Sequence, residues 1–541
     1  MLEQVLYVNA SFHTQWADRP RATALLTRGE RILAVGAVDE LRAHATGITA
    51  TVDLGGATVI PGLTDAHIHT ANYAREIAAL DLRGTASLAE ALDRIRDYAA
   101  TLPATAWVFG GRWDFNAWDV PVQPDRQALD SATGGRPAAL PSIDGHTVWA
   151  NSAALAAVGI DERTPDPVGG EIVRDAAGYP TGILREAAND VLGAIMNSPE
   201  AGDLTAQLAE AQRRLLAVGL TGVHDFDGED CLEAYRALRS EGNLQIRVHK
   251  AIPRVALDMA IDEGRATGDG DAWLRTGPVK LFSDGALGSH SCHMNQPFPG
   301  EPKNHGIEVI PYLELLALVR RAAGAGIAVA THAIGDRANQ LVLDAYQDLV
   351  RNPLDAAPAL GRAAVTPRLR HRIEHTQHLR PEDVQRVARL GVVPSMQPTH
   401  CTSDIPLAST LLTGRDLASY AWRSLLDAGA LPAFGSDAPV ELPNPMHGIH
   451  AAVTRQNRDN EPGGGWQPAE RISVAEAIAG FTTGAAHASG EESIKGRLRP
   501  GMLADFTALG ADPFTCRPEE LRGLPVRATA VGGTIRYRSD D

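Results

Sequence analysis

The chain has 541 residues, of which 44% are hydrophobic and 21% charged, a composition typical of a globular protein larger than one average domain. Its 50 basic and 66 acidic residues give a formal net charge of −16, and without a run of Lys or Arg this argues against a nucleic-acid or membrane partner. The sequence shows no membrane-spanning apolar stretch and no secretory pattern, and its four widely spaced cysteines argue against disulfides or a thiolate zinc site, so we expect a cytoplasmic protein.

Both ends of the chain carry short alternating apolar segments interrupted by glycine, the pattern of β-strands. Residues 1–58 contain QVLYVNA and RILAVGA, and residues 490–541 contain GMLADFTALG and ATAVGGTIRYR. We therefore predict that the two ends pair into one small β domain, a β-sandwich formed by residues 1–58 and 490–541.

Residues 59–489 have a different rhythm, in which apolar runs alternate with stretches of helical periodicity. Capping boxes at Ser87 and Ser473 mark two helix starts. The predicted strands are ATVIPGLTDAHIH, LTGVHDF, QIRVHKAI, GPVKLFSDG, IAVATHAIGD, RHRIEHTQ, GVVPSMQP and LPAFGSDAP. This alternation predicts an α/β fold, a parallel (β/α)₈ barrel of the TIM type. The long interval after the first strand, about residues 75–215, predicts an inserted subdomain over the barrel mouth.

The first predicted barrel strand ends in a cluster of polar side chains. In PGLTDAHIH, Asp65, His67 and His69 share one face of the strand, because side chains two residues apart point the same way. Two imidazoles side by side can chelate one metal ion, and Asp65 is predicted to orient them.

Three later strands also end in a polar residue. His332 ends IAVATH, His375 ends RHRIEH and Asp437 ends LPAFGSD. The carboxyl ends of barrel strands converge on one mouth, where active sites are built. Because the combined set offers nitrogen and oxygen without sulfur, we expect a divalent metal ion, Zn²⁺ first, with Mn²⁺, Fe²⁺ and Co²⁺ as alternatives.

Lys280 lies within the fourth predicted strand, GPVKLFSDG, between two apolar residues. A buried lysine loses its charge readily, which makes the free amine available. One interpretation is that CO₂ adds to this amine and gives a carbamate that bridges two metal ions. The alternative is an ion pair between Lys280 and Asp284 or another carboxylate.

Taken together, these motifs resemble the amidohydrolase superfamily. PGLTDAHIH, VKLFSDGALGSH, THAIGDRA, RIEHTQ and GSDAPVELPNP look like its signatures, while DGHTVWANSAAL and GGEIVRDAAGYPTGILRE resemble amidohydrolase family 3, the branch that contains N-substituted formamide deformylase. The resemblance favours the carbamate interpretation and implies that one or two metal ions are held by His67, His69, Lys280, His332, His375 and Asp437. Superfamily deaminases usually carry glutamate three residues after the fifth-strand histidine, and Gly335 stands there in this chain, which argues against purine or cytosine deamination.

The expected function is hydrolysis of an amide-type, non-peptide C–N bond by metal-activated hydroxide, because zinc lowers the pKa of bound water to about 7. Asp437 is the expected catalytic residue, which moves a proton from the nucleophile to the leaving amine. A metal-dependent ester or lactone hydrolase, a deaminase and a non-catalytic hydrolase-like binding protein are the alternatives. The expected partner is a small-molecule substrate, and a homodimer is one possible oligomeric state.

Four residues outside the ligand set are candidates for substrate binding. His146 and Trp113 lie in the insertion, His290 follows the lysine strand, and His400 follows the seventh strand. Packing within the insertion is the alternative for Trp113, and a structural or surface position is the alternative for the histidines.

Overall fold

The computed structural model describes residues 3–45, 47, 50–142, 147–167, 170–189, 191–192, 203–353 and 369–540. The chain divides into two compact units, one formed by Met1–Asn72 and Leu208–Asp541, the other by Tyr73–Gln207. Within these described residues, no helix combines the length and the apolar character that crossing a membrane requires.

Eight parallel strands of the first unit form the barrel, and each strand pairs with the next one along the chain. They are Leu63–Ile68, Leu220–Asp225, Arg247–Pro253, Leu274–Phe282, Val329–Ala333, Arg372–His375, Val393–Met396 and Ala433–Phe434. The predicted α/β barrel fold is therefore confirmed, and every observed strand lies within one of the predicted runs or overlaps it.

The barrel closes where the loop after the eighth strand meets the first strand. The Asp437 N–H donates to the carbonyl of His67 at 2.7 Å, and the His69 N–H donates to the carbonyl of Ala438 at 2.9 Å. We call this junction, residues 65–69 against 435–438, the seam. The ends of the first and eighth strands are thus held together by backbone hydrogen bonds at the barrel mouth.

Helices follow the barrel strands, as the 3.6-residue periodicity predicts. The Ser473 hydroxyl accepts the N–H of Glu476 and the Glu476 carboxylate accepts the N–H of Ser473, the predicted capping box. The α-helices of the first unit, including those that cross its boundary, are Val38–His44, Thr70–Ala78, Leu204–Ala217, Glu229–Ser240, Leu257–Asp262, Tyr312–Gly324, Asp336–Arg351, Pro381–Leu390, Pro398–Ser403, Ile405–Leu411, Trp422–Asp427, Pro445–Thr454, Val474–Ala479 and Ala485–Ala488.

The two ends of the chain contribute to one eight-stranded sheet. Its strands are Gln4–His13, Arg21–Ala22, Ala24–Arg28, Arg31–Gly36, Ala50–Pro61, Phe506–Leu509, Val526–Val531 and Thr534–Arg538. Phe506–Leu509 pairs antiparallel with Ala50–Pro61, which joins the C-terminal strands to the N-terminal ones. Tyr7, Phe12 and Phe506 are buried together in the core of this sheet, so removal of apolar surface from water favours the pairing of both ends.

The second unit has a six-stranded sheet of its own. Its strands are Leu80–Asp81, Val108–Gly111, Ala138–Pro141, Thr147–Ala150, Gly170–Arg174 and Pro180–Glu186, and its α-helices are Leu88–Thr101, Arg126–Thr133 and Ser152–Ala157. Ser87 caps the first of these helices, because its hydroxyl accepts the N–H of Glu90.

Trp113 belongs to the hydrophobic core of this second unit. Its side chain is buried among Trp118, Trp149 and other apolar residues, and its indole N–H donates to the carbonyl of Leu140 at 2.7 Å. A ring that is enclosed and already hydrogen-bonded has no face left for a ligand. The placement of Trp113 among the substrate contacts is therefore corrected, and its role is packing.

Candidate metal centre

His67 and His69 lie at the end of the first barrel strand, and each imidazole is held by a carboxylate. His67 Nδ1 is 2.5 Å from Glu374 Oε2, and His69 Nδ1 is 3.1 Å from Asp227 Oδ1. Because a carboxylate accepts hydrogen bonds, each Nδ1 carries the proton and each Nε2 keeps its lone pair. Both Nε2 atoms lie 3.4 Å from Asp437 Oδ1. The two rings and one carboxylate oxygen therefore face a common point.

Glu374 and Asp227, which hold the rings of His67 and His69, are residues that the sequence did not lead us to predict. Glu374 is fully buried and forms an ion pair with Arg372, with 2.7 Å between Nε and Oε1. Arg372 also donates to the carbonyl of Ala66 and to Ser395 Oγ. The available signal was the R-x-E spacing in RHRIEH, which places an arginine and a glutamate on one face of an apolar strand.

His332 and His375 come from the fifth and sixth strands, and their ring centroids are 4.5 Å apart. His375 Nδ1 donates to Gln397 Oε1 at 2.8 Å, and His332 Nε2 donates to the carbonyl of Gly285 at 3.1 Å. Each ring thus spends one nitrogen on a hydrogen bond and keeps a lone pair on the other. Such hydrogen bonds fix the tautomer and orientation of metal-ligating histidines.

Burial keeps most of these histidines uncharged. It lowers the pKa of His332 to about 3 and holds the pKa of His67 and of His375 well below the usual value. Burial acts in the same direction on His69, but the hydrogen bond and the charge of Asp227 outweigh it and raise its pKa. Since a histidine must be deprotonated to bind a metal ion, the first three are already in the binding form.

Lys280 is buried beside the first-strand histidines. Its Nζ is 3.4 Å from His67 Nε2 and lies 4.8 Å from the centroid of Phe226. Burial lowers the pKa of the amine to about 8. Asp284 instead accepts three backbone N–H groups at 2.8–3.0 Å, and among the described residues Lys280 forms no salt bridge. The described residues therefore do not form the predicted alternative, an ion pair of Lys280 with Asp284 or another carboxylate.

Asp437 stands between two groups of possible ligands. One contains His67, His69 and Asp437, the other His375, His400 and Asp437, and the donor atoms of each group lie within 4.8 Å of one another. His400 Nε2 is 3.9 Å from Asp437 Oδ2, and its ring lies nearly parallel to that of His375, with centroids 5.9 Å apart. The buried His400 Nε2 has no hydrogen-bond partner in the described part of the chain.

The chemistry of this donor set fits a divalent metal ion. Imidazole nitrogens with oriented lone pairs and one carboxylate converge, and no sulfur takes part, which suits Zn²⁺ or a similar first-row ion. The six predicted ligands all lie at the carboxyl ends of barrel strands or directly after them, namely His67, His69, Lys280, His332, His375 and Asp437.

A third group of metal-ligating side chains, Asp225, Asp227 and Cys231, does not fit a metal ion. The ammonium group of Lys250 lies 3.1 Å from Asp225 Oδ1 and supplies the positive charge there. Burial raises the pKa of the Cys231 thiol well above its usual value, so the sulfur stays protonated. This group acts as a support for His69 through Asp227.

The sequence predicted that Asp65 orients the imidazoles, but the structure shows a different role. Its carboxylate accepts the backbone N–H of His67 at 3.0 Å and both the N–H and the hydroxyl of Ser436, the latter at 2.6 Å. The residue therefore holds the backbone of the seam, while Glu374 and Asp227 hold the rings. This corrects the predicted role of Asp65.

The other candidate substrate contacts are not gathered at the centre. His290 Nδ1 is 2.7 Å from Glu301 Oε1, and its ring stacks on Phe298 at 4.9 Å, so its contacts lie within its own loop. His146 lies outside the described residues. Of the four candidates, only His400 is placed by the described structure beside a predicted ligand.

Comparison with known proteins shows the family of this chain. Residues 50–537 match the model of the amidohydrolase family. The chain is 32% identical to amidohydrolase YtcJ of Bacillus subtilis over 97% of this chain and 98% of that protein, and 32% identical to N-substituted formamide deformylase of Arthrobacter pascens over 99% and 98%. An uncharacterized metal-dependent hydrolase from Pyrococcus furiosus superposes with a TM-score of 0.76 at 26% identity, over 95% of this chain and 100% of that one. The chain therefore belongs to the amidohydrolase family and is a metal-dependent hydrolase.

Proposed function

We propose that this hydrolase cleaves an amide-type, non-peptide C–N bond of a small molecule and that its metal is Zn²⁺. The observation that carries the proposal is the position of Asp437. Its Oδ1 faces His67 and His69, at 3.4 Å from both Nε2 atoms, while its Oδ2 faces away from them toward His400. The Asp437 carboxylate thus lies between the two first-strand histidines on one side and His400 on the other.

Bound metal ions would supply an activated water and polarise the scissile carbonyl. His67, His69, His332, His375 and Asp437 would hold them. Lys280 completes this ligand set as a carbamate, formed when CO₂ adds to the uncharged amine and one proton is released. Three features of the amine support this, namely its burial, its lowered pKa and the absence of a salt bridge to it among the described residues.

Asp437 carries the proton in the proposed reaction. An amide nitrogen leaves only as a neutral amine, so the C–N bond breaks as the nitrogen gains a proton. Asp437 takes a proton from the nucleophile and delivers it to the nitrogen. A positioned acid–base group contributes about 10²–10⁴-fold to such a rate.

The alternative of a deaminase is disfavoured by the backbone around Gly335. A Cβ atom at this position would lie 2.0 Å from the carbonyl oxygen of His293. The Gly335 N–H is also fixed, since it donates to Asp284 at 2.8 Å. There is no room for the glutamate that superfamily deaminases usually carry here. A non-catalytic binding protein is disfavoured because burial keeps His67, His332 and His375 uncharged and hydrogen bonds orient their rings.

Metal analysis and a substrate panel together test the proposal. Elemental analysis of the purified protein is expected to give one to two equivalents of zinc per chain. The panel contains N-substituted formamides, acetanilides, carbamates, esters and lactones. N-substituted formamides come first, because a relative of similar length is named for them. We expect hydrolysis of an amide that stops on chelation and returns with Zn²⁺. A metal-free but active protein, or cleavage of esters and lactones alone, would contradict the proposal.

A further inference from the structure

His400 lies beside the candidate metal centre, and its Nε2 atom is buried without a hydrogen-bond partner among the described residues. It lies on the short helix Pro398–Ser403, which follows the seventh barrel strand. Its side chain is 13% exposed, and Nε2 is shielded from solvent without a hydrogen bond in the described structure. A buried polar atom without a hydrogen bond is unfavourable, so we expect this nitrogen to gain a partner in the working enzyme.

The position of Asp437 indicates which group forms a hydrogen bond with His400 Nε2. His400 Nε2 lies 3.9 Å from Asp437 Oδ2, too far for a direct hydrogen bond. An atom at ordinary hydrogen-bond distance from both would fit between them. In the proposed reaction, Asp437 delivers its proton to the leaving nitrogen. That nitrogen therefore passes within reach of His400 as well.

We propose that His400 is a specificity-determining residue that recognises the N–H group of the scissile amide. In the tautomer with hydrogen on Nδ1, Nε2 accepts this N–H, while Asp437 Oδ2 protonates the nitrogen lone pair as the C–N bond breaks. The N–H that His400 accepts is not transferred. The site thereby selects primary and secondary amides over tertiary amides and esters, which lack this group. The inference rests on the proposed function.

A pair of inhibitors that differ in one group tests this directly. A phosphonamidate and the matching phosphonate mimic the tetrahedral stage of hydrolysis and differ only in N–H against O. Wild-type protein is expected to bind the phosphonamidate at least about tenfold more tightly, or by about 1.4 kcal/mol, because the phosphonate leaves the buried acceptor without a hydrogen bond. Hydrolysis of 4-nitroformanilide, N-methyl-4-nitroformanilide and 4-nitrophenyl formate gives the matching kinetic ratios.

Three variants separate acceptance of the N–H from other roles of His400. His400→Gln places an amide oxygen near the position of Nε2 and is expected to keep most of the preference. His400→Asn reaches only the position of Nδ1, and His400→Leu has no acceptor. Both are expected to lower the preference for the phosphonamidate over the phosphonate about tenfold. His487→Gln, on the helix Ala485–Ala488, is the control and should keep the wild-type ratio.

The outcomes distinguish this inference from the function on which it rests. An unchanged inhibitor ratio in His400→Leu and His400→Asn overturns the role in recognition. Loss of zinc from His400→Leu, measured by elemental analysis, also overturns it, because His400 would then be a metal ligand. If zinc-loaded wild-type protein hydrolyses the ester and neither anilide, the proposed amide hydrolysis itself is wrong.

Discussion

Replacing Glu374 by glutamine removes a charge from the barrel interior while nearly keeping the shape of the side chain. Two effects follow from its contacts. The first is on folding, because the guanidinium of Arg372 is fully buried and its pair with Glu374 is lost. The second is on the metal centre, because Glu374 Oε2 accepts the hydrogen of His67 Nδ1 at 2.5 Å.

The magnitudes decide which effect is larger. Removing one partner of a buried ion pair costs about 3–5 kcal/mol, because the other charge is left uncompensated. Losing the carboxylate behind a metal-ligating histidine costs about 10–100-fold in metal affinity, or about 1.4–2.8 kcal/mol. Glu374→Gln should therefore destabilise the protein even without metal, and lower zinc affinity in addition.

Denaturant unfolding of the chelator-treated protein measures the first effect, and zinc titration measures the second. The matched control is Glu492→Gln, which breaks a pair with Arg370 at 2.8 Å whose side chains are 38% and 35% exposed. A pair so exposed is worth about 0–1 kcal/mol. If metal-free Glu374→Gln unfolds within about 1 kcal/mol of wild type, the argument from the buried charge is refuted.

Four further substitutions have distinct expected results. Asp437→Asn should keep much of the zinc yet lower kcat at least ~10²-fold. Lys280→Ala should instead lose zinc and regain some activity with added short carboxylic acids. Full zinc content and full activity in Lys280→Ala would refute the proposed carbamate on Lys280. Asp227→Asn should weaken zinc binding about 10–100-fold, by titration, through the orientation of His69, and an unchanged affinity would contradict this. Burial lowers the pKa of His378 to about 3, so its folded form stays neutral and binds fewer protons than the unfolded chain between pH 6.5 and 3. The contribution of His378 to the free energy of unfolding is therefore complete above pH 6.5 and is about 2 kcal/mol smaller at pH 5. Denaturant unfolding above pH 6.5 and at pH 5 should show this loss in wild type and not in His378→Asn.

The barrel could be predicted because its signals are local. Each strand is a short apolar run with a helical stretch after it, and the polar residue at its end is visible in the sequence itself. His67, His69 and Lys280 follow from this pattern, since alternation along a strand fixes which side chains share a face. These features need no knowledge of which strand lies beside which.

The orientation of the later ligands could not be predicted from alternation. Arg372 and Glu374 share a face, so a regular strand would turn His375 to the opposite side. The structure gives His375 a φ of +73° and Asp437 a φ of +58°, a left-handed conformation that residues other than glycine rarely adopt. This local turn places His375 within 5.1 Å of the ring of His67. No strand or helix period contains such a turn.

The partners of the ligands were also hidden, because they depend on distant parts of the chain. His67 and Glu374 are 307 positions apart, and His69 and Asp227 are 158 apart. Which carboxylate meets which imidazole is set by the order and register of the barrel strands. The nearby Asp65 was the natural choice from the sequence, but its short side chain is spent on the backbone of Ser436.

The seam makes completion of the metal centre a late event in the life of the chain. The Asp65 carboxylate and the Ser436 N–H that it binds are 371 positions apart. During synthesis on the ribosome, the first histidine pair emerges hundreds of residues before Asp437, the residue both metal groups share. A nascent or truncated chain that stops short of this aspartate holds only part of the ligand set and cannot close the barrel. Firm retention of a divalent metal ion is thus expected only from a chain that extends past Asp437 and has closed its barrel.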